Sequence, residues 1–290
     1  MLFFPPSFPP PPPPTKITVF VHGTHRFAQL IPKAIKPLYN RFHDSPGFKP
    51  LSQAPKNYCY RRFLESIARY GKNYFPKEHC YLFGWSGTLS HEARVQAAQE
   101  LHKALVKLHE KYQQYELTLI SHSHGGNVVL NLAGLDYKKP YHIDRLILIA
   151  CPVQEVTKNF VYDPLFKEIY APYSKWDSFQ ILDPQGAVPR RRYIRCMFTQ
   201  SARCTDLHFI PLFSERQFPD DSKVKHISIK RWLRPLSHIE FLFPSFTKKL
   251  EKMLITAKNH DFSKKKCAIS YDLSFNCLNN CLGIDLNHCS

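Results

Sequence analysis

Ten residues constrain this chain more than any others: Leu117-Thr118-Leu119-Ile120-Ser121-His122-Ser123-His124-Gly125-Gly126. The apolar, β-branched run reads as a buried strand, and it stops at a serine set among small residues. The pattern small-x-Ser-x-Gly, from Ser121 to Gly125, is what a strand needs to reverse sharply into a helix with the hydroxyl of Ser123 presented at the turn. Residues two before and two after that serine pass close to its backbone, so bulky side chains there would clash. The common motif has glycine at both places; Ser121 is a departure that keeps the small size. Asn127–Ala133 then carries an apolar face that predicts a helix packed back on the sheet.

Strand and helix alternate along most of the chain. Ile17–Val21 is a buried strand that runs into His22-Gly23-Thr24-His25, and Tyr81–Trp85 is a second, ending at Ser86-Gly87. Leu117–Ser121 and Arg145–Ala150 are the third and fourth, with a fifth expected at Glu168–Tyr173 and a sixth at Lys225–Ile229. Helical spacing aligns Phe63, Ile67 and Tyr70 within Tyr60–Tyr70. The clearest helix is Leu89–Tyr112, where Ala93, Ala97, Leu101, Leu105, Leu108 and Tyr112 form a stripe opposite Lys and Glu. A helix around Phe246–Ala257 closes the domain. Strands separated by helices predict an α/β fold with a mostly parallel sheet and right-handed crossovers.

At 290 residues and 43% hydrophobic content, the chain suits one large α/β domain with extras. Residues 1–15 form a Pro-rich N-terminal arm, 16–257 the folded domain, and 258–290 a polar, Cys- and Lys-rich tail without periodicity. The arm favours extended polyproline II, as a stiff lead-in or as a ligand for an aromatic groove. Lys and Arg outnumber Asp and Glu by 40 to 23, a formal charge of +17, which favours anionic partners. The basic residues are spread along the chain, and no zinc-finger spacing, RNA-binding aromatic signature or basic-region helix accompanies them. The excess therefore reads as a solvated basic surface, with no nucleic acid expected.

Nine cysteines, an odd number at irregular spacings, fit a reduced cytoplasmic protein. Cys267, Cys277, Cys281 and Cys289, with His288, lack the paired spacing of a zinc site. No metal or cofactor is expected. The apolar run at Met1-Leu2-Phe3-Phe4 has no basic flank and breaks at proline, which predicts no signal peptide. No stretch approaches the ~20 apolar residues of a membrane span.

A serine hydroxyl becomes a nucleophile at neutral pH when a base contacts it and a carboxylate holds that base. Here the chain resembles the α/β-hydrolase family, and within it the serine esterase and lipase branch. The resemblance rests on His22-Gly23-Thr24-His25 after the first strand, Phe83-Gly84-Trp85-Ser86-Gly87 with its following helix, Ser121-His122-Ser123-His124-Gly125 after the third strand, and a late histidine. It covers roughly residues 16–257 and implies the order Ser, acid, His. Ser123 is then the nucleophile. His238, in the loop before the closing helix, is the base; His226 lies inside a predicted strand, where its side chain has a fixed face. Asp177, beyond the fifth strand in a Ser-x-x-Asp turn, is the acid, ahead of Asp183 (before a proline) and Asp206. Family practice also implies backbone N–H donors for the oxyanion from Thr24 and His124.

These residues imply hydrolysis of a small-molecule or lipid ester. Both links, Ser123 to His238 and His238 to Asp177, are expected as hydrogen bonds or as looser contacts in the absence of substrate. The basic charge suggests peripheral contact with an anionic membrane. Segments 26–80 and 178–222 are long enough to supply a lid. The alternative is a non-catalytic interaction protein on the same scaffold, working through its basic surface and proline arm.

Overall fold

A computed structural model describes residues 15–24, 45–175, 177, 180, 183, 216–230, 236–260 and 269–272. Its strands are β1 (Lys16–Val21), β2 (Gly47–Pro50), β3 (Cys80–Gly84), β4 (Glu116–His122), β5 (Ile143–Ile149), β6 (Phe166–Tyr173), β7 (Val224–Lys230) and β8 (Ile269–Asp272). They form one sheet in the order β2-β3-β1-β4-β5-β6-β7-β8. Only β2 is antiparallel to its neighbour; every other pairing is parallel.

Parallel sheets are covered on both faces, so their strands read as unbroken apolar runs. The helices are α1 (Cys59–Tyr70), α2 (His91–Lys111), α3 (Gly125–Leu130) and α4 (Pro244–Asn259). One face carries Ile17, Val19, Leu119, Leu146 and Leu148 against Leu101 and Leu105 of α2 and Val128 and Val129 of α3. The other carries Phe20, Ile120, Ile147 and Ile149 against Phe63 and Ile67 of α1 and Phe246, Leu250 and Leu254 of α4. Each such side chain contributes about 1.5–3 kcal/mol on burial, so the sheet is a stiff platform for whatever its edge presents.

The chain leaves β1 toward β3 on one side of the sheet, and β3 returns through α2 to β4 on the other side of β1. This reversal of direction makes a topological switch point, and open α/β sheets form their crevice at the carboxyl ends of the strands there. His22, Gly23 and Thr24 leave β1 at that edge, and Ser123 leaves β4.

Several elements depart from the expectations above. β2 and β8 were not expected, and β8 lies within 258–290, the segment read as a tail. Both are four residues long, too short to show a period of their own, and pairing with a neighbour defines them. The inner face of α2 also differs: Arg94 and His102 are buried beside Ala97, Ala98, Leu101, Leu105 and Leu108, whereas Ala93 and Tyr112 are half-buried. Ser90 caps this helix, its hydroxyl accepting from the Ala93 N–H at 3.3 Å. Of the proposed lid segments, 45–80 supplies β2 and α1, while the rest of both segments lies almost wholly outside the described residues. The proline arm, Asp206 and the Cys267, Cys277, Cys281, Cys289 and His288 group also lie outside them. Among the described residues no helix is long and apolar enough to cross a membrane.

His226 sits in β7, where its Nε2 accepts from the Phe218 N–H at 3.0 Å and fastens the incoming segment to the sheet. Burial lowers its pKa from 6.5 to about 4, with the Asp220 carboxylate opposing. The unfolded imidazole therefore takes up a proton before the folded one does. Stability is whole above pH 6.5 and falls as pH drops toward 4, by about 2 kcal/mol at pH 5 from this residue alone. Urea midpoints at pH 7.5 and pH 5 should draw closer together in His226→Gln than in the wild type; an unchanged gap would remove His226 from the acid sensitivity.

Candidate active site

At the carboxyl end of β4 the backbone turns sharply. Ser123 has φ +54°, the left-handed region that a residue with a Cβ seldom enters. Its N–H donates to the Ile149 carbonyl at 2.9 Å, and its carbonyl accepts from the Gly126 N–H at 2.9 Å. The turn is pressed against β1. A Cβ on Gly125 would run into the carbonyl oxygens of His22 and Val21, and one on Gly126 into Cys151. A Cβ on Gly23 would stand 2.7 Å from the Ser123 Cβ and 2.9 Å from the His122 carbonyl. Ser121, the departure from glycine, fits because it is small and buried, with its hydroxyl donating to the Ile147 carbonyl at 3.3 Å.

The same edge brings in His238 and Asp177 from far along the chain. His238 begins a 3-10 turn (His238–Leu242) capped by Ser237 and Glu240. Asp177 follows β6 and its N–H donates to the Ser174 carbonyl at 3.3 Å, which is the Ser-x-x-Asp turn. The Nδ1 of His238 lies 2.7 Å from Asp177 Oδ2, with the carboxylate fully buried and the imidazole about one-tenth exposed. A carboxylate only accepts, so Nδ1 carries the proton and Nε2 is the basic nitrogen. The second expected link is not closed: among the described residues Ser123 Oγ makes no hydrogen bond. The His238 ring stands beside both neighbours of the serine, 4.6 Å between centroids from His122 and close enough to act electrostatically on His124.

His122 and His124 diverge from the turn. His122 donates through Nε2 to the His238 carbonyl at 3.2 Å. Its pKa is held well below 6.5, first by burial and then by the His238 charge. His124 points the other way, with Nδ1 accepting from Gln154 Nε2 at 3.5 Å and Nε2 3.7 Å from Asp183 Oδ1. Burial, then Arg94 and His238, hold His124 well below 6.5. With the ring neutral, the Asp183 approach is a dipolar contact and not an ion pair. Of the two leading acid candidates, Asp177 is therefore bonded to His238, whereas Asp183 belongs with His124 and Gln154. Among the described residues no group of three His, Cys, Asp or Glu side chains converges as metal ligands.

The resemblance implied the Thr24 and His124 N–H groups as oxyanion donors. Among the described residues, neither the Thr24 nor the His124 N–H donates to another group. Three side chains were missing from the sequence reading. Gln154, fully buried, donates to Asp183 Oδ2 at 3.3 Å as well as to His124. Gln180 donates through its side-chain amide to the Cys151 carbonyl at 2.8 Å, and its backbone N–H donates to Asp177 Oδ1 at 3.3 Å. Arg94 is buried near His124 and Cys151. Only Arg94 left a signal, as a charge on the border of an apolar helix stripe.

No protein-family model matches the sequence, and no curated protein matches it. Solved structures do. An α/β serine hydrolase homologue from Coxiella burnetii is 13% identical over 85% of this chain and 87% of its own, with a TM-score of 0.42. The phospholipase PlaB from Legionella pneumophila is 19% identical over 48% of this chain and 25% of its own, with a TM-score of 0.28. The product of lin2722 from Listeria innocua is 11% identical over 90% of this chain and all of its own, with a TM-score of 0.40. The mostly parallel sheet flanked by helices, with a serine at the sharp strand-to-helix turn after β4, is consistent with the α/β-hydrolase fold.

The crowding at the turn has a measurable consequence. Gly125→Ala is expected to destabilise the protein by about 3 kcal/mol, the upper range for overpacking against atoms that cannot move aside. Urea unfolding measures it, and an unchanged midpoint would mean that β1 and the turn are not in contact.

Proposed function

We propose that the protein is a serine hydrolase that cleaves carboxylic esters, acyl lipids among them. The observation that supports this most is the meeting at one sheet edge of Ser123, in a left-handed turn, with the buried His238–Asp177 pair. In this reading Ser123 Oγ attacks the ester carbonyl carbon and gives its proton to His238 Nε2. Asp177 holds the ring in the Nδ1–H form and stabilises the imidazolium. The carbonyl oxygen becomes an oxyanion bound by the Thr24 and His124 N–H groups, each worth about 3–4 kcal/mol in a well-ordered site. Collapse breaks the ester C–O bond, and the alcohol leaves with the proton from His238. Water, deprotonated by the same nitrogen, then releases the acid and regenerates the serine. The open Ser123–His238 link accords with a site without substrate, where catalytic hydrogen bonds are commonly long.

A fluorophosphonate probe should label the wild type and fail to label Ser123→Ala. Turnover of p-nitrophenyl esters should fall about 10³-fold or more in that variant and roughly 10³–10⁴-fold in Asp177→Asn. Persistent labelling of Ser123→Ala would mean that another serine reacts. Comparing short and long acyl chains divides esterase from lipase.

The formal charge of +17 supports peripheral contact with an anionic membrane as the place where lipid esters are met. Binding to vesicles containing anionic lipid should weaken steeply as salt rises; absent or salt-insensitive binding would remove this part of the reading.

A further inference from the structure

The loop after β1 contains a hydrogen-bonded lock that the acyl-transfer chemistry does not itself use. The His22 ring is buried between two aromatic faces, with centroids 5.7 Å from Tyr60 and 5.9 Å from Trp85 and interplanar angles of 19° and 16°. The Trp85 backbone N–H donates to His22 Nε2 at 3.0 Å, and the Trp85 indole Nε1–H donates to the His22 carbonyl at 2.8 Å. A ring nitrogen that accepts carries no proton, so the proton of this imidazole is on Nδ1. That nitrogen lies 2.7 Å from the carbonyl oxygen of Gly23 and donates to it.

The Gly23 carbonyl and the Thr24 N–H belong to one planar trans peptide. Fixing the direction of the carbonyl therefore fixes the direction of the N–H, which points the opposite way. Gly23 cannot supply this control itself, because a side chain there would strike Ser123. From this geometry we infer that His22, set in one tautomer by Trp85, is the positioning residue that aims the Thr24 N–H at the developing oxyanion. Trp85 acts one step further back, as the group that sets the tautomer. The inference rests on the serine-hydrolase reading above and adds to it how one oxyanion donor is oriented. Preorganised donors accelerate acyl transfer because no reorientation is needed as charge develops.

Two substitutions separate the lock from mere packing. His22→Asn keeps a donor at the Nδ1 position, near the Gly23 carbonyl. His22→Gln places its amide at the Nε2 position, near the Trp85 N–H, and leaves the Gly23 carbonyl without its partner. With a p-nitrophenyl ester, kcat should fall about 10- to 100-fold in His22→Gln and stay within about threefold of the wild type in His22→Asn, a fraction of what deleting an oxyanion donor costs. KM should stay within about twofold in both, since only the transition state uses the donor.

Equal kcat in the two variants, or a loss carried by KM, would overturn the inference. Near-UV circular dichroism establishes that each variant is folded. If His22→Gln does not fold, the wild-type tautomer decides: 15N NMR should place the His22 ring proton on Nδ1 at neutral pH, and a proton on Nε2 would overturn the lock. A wild type that neither turns over ester nor takes the fluorophosphonate would overturn the hydrolase reading itself, and the lock with it. Wild-type turnover with no difference among the variants overturns the lock alone.

Discussion

Everything at this edge depends on one steric constraint, the close approach of the turn after β4 to the end of β1. Gly23 and Gly125 are the residues without which the two backbones could not touch, and the left-handed Ser123 is the result of the turn between them. A non-glycine residue held there costs roughly 1–2 kcal/mol relative to ordinary backbone. The bonds from Ser123 to Ile149 and Gly126, within a sheet packed on both faces, hold it in place. Local strain of this kind persists only where the surroundings over-determine it. A small shift of β1 would move the serine and the Thr24 peptide together.

The histidines around the turn follow from the same crowding. His22, His122 and His124 are all buried; burial disfavours the imidazolium of His122 and His124, and the His22 ring donates through Nδ1 and accepts through Nε2. Each is oriented differently: His22 toward Gly23 and Trp85, His122 toward the His238 carbonyl, and His124 toward Gln154 and Asp183. His238 differs from all three because it makes a 2.7 Å hydrogen bond to a buried carboxylate, whereas His124 stands 3.7 Å from its own. That hydrogen bond fixes the proton on Nδ1 and leaves Nε2 as the basic nitrogen.

The fold was legible wherever the pattern is local. Parallel strands read as apolar runs, so β1, β3, β4, β5, β6 and β7 lie within about two residues of their expected limits. The elbow was legible because strand, serine and glycines adjoin in the chain. The His238–Asp177 pair was not, since no spacing encodes a contact across 61 residues; chain order and a family resemblance suggested it. Choosing between Asp177 and Asp183 required knowing which histidine each carboxylate touches. Gln154 and Trp85 have partners 30 and 63 residues away, so their roles become visible only in three dimensions. β2 and β8 escaped for a different reason: four residues are enough to pair but too few to show a repeat.

The most direct test of the account is a crystal structure of the protein after reaction with a fluorophosphonate. The account predicts a phosphorus–oxygen bond at Ser123 Oγ and the phosphonyl oxygen about 3 Å from the Thr24 and His124 nitrogens. It also predicts the His238 ring turned toward the adduct with its Nδ1 still on Asp177. Modification of a different residue, or a phosphonyl oxygen pointing to solvent with the two N–H groups unused, would contradict it.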